Sequence, residues 1–159
     1  MASIGKMVSN LRKIEAVCER DGAFRNQNVV KEFTFSIDQS IKAGGTNEAP
    51  TPMDYVLGSF NGCVLIIIER VAQELDFSFW NLKAHSVGIV DRRGVLGAEG
   101  VSPHFQEVSN TIWFGTDESE ERIAQLKDIV AKRCPVYNLF KDAGVEIELN
   151  WVRENGGAR

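Results

Sequence analysis

The chain carries cysteines at positions 18, 63 and 134, and two of them stand in settings that could support redox chemistry. Cys63 closes the run PTPMDYVLGSFNGC and is followed by the apolar stretch VLIIIERVA, whereas Cys134 stands in KRCPVY, after two cations and before a proline. The thiolate is the nucleophilic form, so the chemistry turns on what lets each sulfur lose its proton. If Pro135 opens a helix, Cys134 occupies its N-cap. Free backbone N–H groups and the positive end of the helix dipole then favour a thiolate, with Lys132 and Arg133 adding charge. An ordinary thiol in a helix–helix turn is an equally open reading. Cys63 lies twelve residues beyond a helix cap expected at Thr51, out of reach of that helix's dipole, and apolar burial raises a thiol's pKa. Local sequence therefore makes Cys63 the embedded sulfur and a small core residue. Its reactivity requires a cation from elsewhere in the fold, and Arg20 and Arg25, in the turn-like stretch CERDGAFR, are the candidates. Nothing around Cys18 suggests activation.

Other chemistries find less support. His85 and His104 share no metal-ligand spacing with the cysteines, so neither a metal site nor a cofactor is expected. No G-x-S-x-G elbow occurs, and Gly44-Gly45 lacks the lysine and helix start of a phosphate loop. The 159 residues suit about one domain. With 43% hydrophobic residues, a chain of this size buries roughly 68–70% of its unfolded surface. A net charge of −4 argues against nucleic acid, which needs a basic footprint. The start, MASIGKMVSN, has no apolar core of a signal peptide. The apolar run Val64 to Ile68 is far short of the ~20 residues that span a bilayer. A soluble cytoplasmic protein is expected, in which cysteines are free, metal-bound or catalytic rather than permanently bridged.

The elements that must position these sulfurs can be read from periodicity. Residues from about Met7 to Val17 form a mixed segment read as a strand. From Val29 to Asp38, Phe33, Phe35 and Ile37 alternate with Thr34 and Ser36, the period of a half-buried strand. A loop follows from Asp38 to Thr51, marked by Gly44, Gly45, Asn47 and Pro50. A long helix begins with Thr51 as N-cap, Pro52 at the first position and Asp54 completing a capping-box-like start, and runs to about Leu75. Val64 to Ile68 is apolar on every face, so this helix is expected to be buried all round, a partner subunit helping to cover it. Gly58 and Gly62 each cost about 1 kcal/mol relative to Ala. With Ser59 they leave a shallow face for close approach by another helix or by the chain's own sheet.

Strands are expected over about Trp80–Asp91 and Phe105–Phe114, with a turn at Arg92, Arg93 and Gly94. A helix is expected over Thr116–Arg133, with Ile123, Leu126, Ile129 and Val130 on one face and Asp117, Glu118, Glu120 and Glu121 at its positive end. Pro135 breaks it. A short helix, Pro135–Asp142, ends at Gly144, and Val145, Ile147, Leu149 and Trp151 alternate in a last strand. The order β-β-α-β-β-α-α-β, with strands in pairs, points to antiparallel sheet and an α+β class.

The block PTPMDYVLGSFNGC, the apolar helix after it and the later CPV together resemble the OsmC/Ohr family of thiol-dependent hydroperoxide reductases, from about Arg20 to Trp151. The resemblance implies a single OsmC-like domain over residues 1–159, in an intertwined homodimer with antiparallel sheets around long central helices and active sites at the subunit interface. Cys63 matches the family's peroxidatic cysteine and Cys134 its resolving cysteine. A dithiol such as a lipoylated protein would restore both. Arg20 is the first choice for the family's arginine. The family's glutamate, ten residues before the cysteine, is replaced here by Met53, with Asp54 next to it. The implied function is peroxiredoxin-like reduction of organic or inorganic hydroperoxides in oxidative-stress defence. The alternative, favoured by Met53 and the apolar surroundings of Cys63, is a non-catalytic OsmC-like dimer that binds a small apolar ligand in its interface pocket.

Overall fold

The computed structural model describes residues 10–154. It forms two compact units, Met1–Asp54 and Tyr55–Arg159.

The first unit is built on a three-stranded antiparallel sheet of β1 (Val17–Gly22), β2 (Arg25–Val30) and β3 (Phe33–Ile37), in that spatial order. The stretch CERDGAFR, read as a turn from sequence, is mostly strand. Only Ala23 and Phe24 turn the chain, with Phe24 at φ 56°. The single strand expected from Val29 is two strands joined at Lys31 and Glu32. The polar run RNQN has no apolar alternation to betray a strand; ladders on both sides hold it. The expected strand over Met7–Val17 starts only at Val17; its part up to Ser9, and the N-terminal stretch MASIGKMVS, lie outside the described residues.

After β3 the chain enters a loop anchored by one carboxylate. Asp38 is fully buried. It accepts hydrogen bonds from the N–H groups of Gln39 (2.7 Å), Thr46 (3.2 Å) and Glu48 (3.0 Å), and from the Thr46 hydroxyl (2.6 Å). These donors, the Thr46 hydroxyl foremost, hold the carboxyl well below the usual carboxylate range. A Cβ on Gly45 would lie 2.2 Å from the Gln39 carbonyl oxygen, so only glycine lets the loop close over Asp38.

The helix α1 (Pro52–Leu75) starts as its sequence dictates. Thr51 donates from its N–H and its hydroxyl to Asp54 Oδ2 at 2.9 and 2.7 Å, and Asp54 N–H returns a bond to Thr51 Oγ1 at 3.3 Å. Such a reciprocal cap stabilises a helix by about 1 kcal/mol.

In the second unit β4 (Trp80–Val90) is followed by a one-turn helix α2 (Arg92–Val95), β5 (Phe105–Gly115), α3 (Glu120–Arg133), α4 (Pro135–Asp142) and β6 (Glu146–Glu154). The sheet order is β4-β5-β6. Strands β4 and β5 are antiparallel, as expected, but β6 runs parallel to β5, with Val108 opposite Ile147 and Ile112 opposite Trp151. The two intervening helices supply the long crossover that a parallel pair requires, so this sheet is mixed rather than antiparallel. Helix α3 begins at Glu120, later than Thr116. The Thr116 hydroxyl donates to Ser78 O and accepts from Glu118 N–H, which keeps residues 116–118 outside the helix, and Ser119 becomes the N-cap.

Helix α1 buries one face only: Phe60, Val64, Ile68, Val71 and Ala72. On the opposite side Ile66 is 59% exposed, and beyond the helix's own backbone no atom lies within 4 Å of where a Cβ would stand on Gly58 or Gly62. The expectation of all-round burial is thus corrected for the single chain: apolar composition sets how much a helix can bury, not how much its own chain supplies. Length and composition alone would let α1 cross a membrane, but its buried row marks it as a core helix. Its C-terminus is closed by Arg122, whose Nη2 donates to Leu75 O and Asp76 O, both at 2.9 Å, satisfying carbonyls the helix leaves open. Phe140 of α4 packs edge-to-face against Phe60 of α1 (5.4 Å) and Phe105 of β5 (5.6 Å), joining three elements at one point.

Candidate redox site

Helix α1 and the α3–α4 junction bring the two cysteines together. Cys63 lies midway along α1, half-buried, beside the row formed by Phe60 and Val64. Cys134 ends α3, its N–H donating to Val130 O at 2.9 Å, and is also the N-cap of α4. It is fully buried. The Cys134 S–H donates to Cys63 Sγ with the sulfurs 3.6 Å apart, and both thiols are free.

The N-cap position expected for Cys134 is correct, but its consequence is reversed. Burial pushes the Cys134 thiol up from 9.0 to about 11. The Tyr137 N–H pulls the other way, the neighbouring Cys63 sulfur adds to the rise, and the Val136 N–H offsets a little. Desolvation outweighs two helix-start amides because sulfur is a weak acceptor. Nor do the neighbouring cations serve the sulfur. Both terminal guanidinium nitrogens of Arg133 engage Glu74, Nη2 at 2.9 Å, and Lys132 pairs with Asp128 at 2.6 Å. The roles suggested by local sequence are therefore exchanged: Cys134 is the embedded sulfur and Cys63 the accessible one.

Of the arginines proposed to serve Cys63, Arg20 lies exposed on β1 opposite Asn26 and forms no ion pair among the described residues. Arg25 pairs with Asp21 at 3.5 Å and with Glu48. Both belong to the first unit, as does exposed Cys18. Met53 stands in the first turn of α1, and the Asp54 carboxylate beside it is committed to the Thr51 cap. His104 Nδ1 lies 2.6 Å from Phe105 O, and His85 is exposed on β4. Sequence reading passed over Glu74, which ties α1 to the end of α3 beside Cys134. Its partner is 59 residues away, and no local signal marks such a pair.

A family described as "OsmC-like protein" matches residues 45–150. The fold resembles the crystal structure of an OsmC-like protein from Mycoplasma pneumoniae at 17% identity and a TM-score of 0.73, covering 90% of this chain and 96% of that one. It also resembles an organic hydroperoxide resistance protein from Elizabethkingia anophelis (14% identity, TM-score 0.71, 91% and 99% covered). A third similar structure is the organic hydroperoxide resistance protein OsmC of Legionella pneumophila (14% identity, TM-score 0.65, 89% and 97% covered). No curated protein gives a match.

Proposed function

The chain belongs to the OsmC-like protein family, and on that premise we propose that it reduces organic or inorganic hydroperoxides through Cys63 and Cys134. The supporting observation is the asymmetric sulfur pair: 3.6 Å apart, one sulfur buried and holding its proton, the other half-buried beside it. Because Cys134 is fully buried and Cys63 only half-buried, Cys63 is the sulfur placed to meet substrate. Its thiolate attacks one peroxide oxygen and the O–O bond breaks. The leaving alkoxide, or hydroxide when the substrate is H₂O₂, takes a proton and departs as alcohol or water, and Cys63 becomes a sulfenic acid. The Cys134 sulfur then displaces hydroxide from Cys63. Its proton leaves with that hydroxide as water, and an S–S bond forms. The two thiols have given two electrons to the peroxide, and a dithiol such as a lipoylated protein returns them by exchange.

We assign the guanidinium that serves the Cys63 thiolate to Arg20, since Arg25 is already held by Asp21 and Glu48. The homodimer implied by the family suits the open side of α1 at Gly58, Gly62 and Ile66. We read the chain as a single OsmC-like domain of a cytoplasmic protein in oxidative-stress defence. The test is consumption of cumene hydroperoxide and of H₂O₂ with dithiothreitol as reductant. Activity is expected in the native chain and background only in Cys63→Ser. Full activity in Cys63→Ser contradicts the proposal.

A further inference from the structure

We propose that Asn61, Ser86 and Asn110 form a part-buried polar pin that fixes the rotation of α1 and so positions Cys63 against Cys134. The inference rests on the reading of these cysteines as a working pair. Ser86 of β4 stands directly opposite Asn110 of β5 in the ladder. Ser86 Oγ donates to Asn61 Oδ1 at 2.8 Å, while Asn110 Nδ2 donates to Asn61 Oδ1 at 2.8 Å and to Ser86 Oγ at 2.7 Å. The three side chains close a ring of hydrogen bonds between one helix and two strands.

The ring is a poor way to gain stability. Asn110 is fully buried, and its Oδ1 has no hydrogen-bond partner among the described residues. A buried acceptor left unpaired destabilises the fold, and apolar side chains of the same size would avoid that penalty. What the ring adds is direction. By contrast Leu57 Cδ2, 3.3 Å from where a Cβ would stand on Gly88, makes a non-directional contact on which a helix can turn. Hydrogen bonds of 2.7–2.8 Å hold their angle as well as their distance.

That direction reaches the cysteine through helix geometry. Asn61 and Cys63 flank the buried row of Phe60, Val64 and Ile68 and lie roughly 200° apart around the axis. Any rotation that breaks the Asn61 bonds therefore swings Cys63 relative to Cys134. Cys134 is placed by contacts that do not involve α1, its own N–H on Val130 O and Asn138 Nδ2 on its carbonyl at 2.9 Å. The sulfurs must close from 3.6 Å to a bond of about 2.05 Å, and a misplacement of about 1 Å can slow a positioned reaction about 100-fold.

The test uses the full chain carrying Cys18→Ser and an oxidant that is not a peroxide. Oxidised dithiothreitol closes Cys63 to Cys134 by thiol–disulfide exchange, and the equilibrium gives the effective concentration of one thiol at the other. In the triple variant Asn61→Leu, Ser86→Ala, Asn110→Leu, thermal stability is expected to be retained while closure slows about 10- to 100-fold and the effective concentration falls. Should that variant fail to fold, Ser86→Ala, which removes one hydroxyl, is expected to slow closure several-fold, with Ser86→Thr restoring it. Unchanged closure in a folded triple variant, or in Ser86→Ala, overturns the pin, as does a native chain whose pair does not close. Triad-dependent closure without hydroperoxide consumption would instead fault the proposed activity and leave the pin standing.

Discussion

Cys63 and Cys134 lie 3.6 Å apart, yet the chain builds their surroundings in opposite ways. Cys134 has the features that lower a thiol's pKa, a helix start, two aimed N–H groups and two cations in sequence, and its pKa nonetheless rises to about 11. Cys63 has none of these locally and is the less buried of the two sulfurs. Asp38 explains the difference. It is as fully buried as Cys134, yet its pKa falls, because its oxygens accept from the Thr46 hydroxyl and three backbone N–H groups. Burial raises an acid unless donors of sufficient number and strength replace water. Oxygen with four donor groups meets that condition and sulfur with two does not.

The comparison can be broken most directly at the sulfurs themselves. Cys63→Ser is expected to reduce hydroperoxide turnover to background. Cys134→Ser should retain the first attack and accumulate a sulfenic acid on Cys63, read by dimedone labelling. Next in size, Phe140→Ala removes the aromatic seat of α4 and should cost about 3–5 kcal/mol in denaturant unfolding. It should also let Cys134 react with iodoacetamide at lower pH, because water reaches its sulfur. In the native chain the raised pKa of Cys134 sets an alkaline limit. Its contribution to stability is complete below the thiol's ordinary value of 9.0 and is lost as pH rises toward about 11, which thermal melting across that window will read. Asp38 sets the opposite limit. Its depressed pKa gives stability that is present above its ordinary value of 3.8 and lost as pH falls below it. Asp38→Asn should therefore lower the melting temperature at pH 7 and flatten the acid limb. The smallest effect is at the start of α1. Thr51→Ala should cost about 1 kcal/mol and leave the rate of Cys63–Cys134 closure unchanged, since the cap lies three helical turns from Cys63.

Most of this architecture was legible where local chemistry decides it. The Thr51–Pro52–Asp54 start, the Pro135 break and the alternation of the last strand each fix an element within a few residues. The polar strand β2, the parallel pairing of β6 and the open side of α1 were not, because partners distant in sequence set all three. The site divides in the same way. The positions of both cysteines on their helices could be read from sequence, but which sulfur is buried depends on how α4 packs through Phe140 against α1 and β5. The Arg133–Glu74 pair, which withdraws the expected cation from Cys134, spans 59 residues and left no trace in the local pattern. The Asn61–Ser86–Asn110 ring had one weak signal, a polar Asn110 in the middle of the otherwise apolar inward row of β5.

In the proposed reaction Cys63 attacks and Cys134 resolves. Site-resolved mass spectrometry of the reduced chain, after one equivalent of cumene hydroperoxide with dimedone present, tests it most directly. The expected result is a Cys63–Cys134 disulfide in the native chain, a dimedone adduct on Cys63 in Cys134→Ser, and Cys18 unmodified in both. Two free thiols at 63 and 134 after peroxide, or a dimedone adduct on Cys134 in Cys63→Ser, would contradict it.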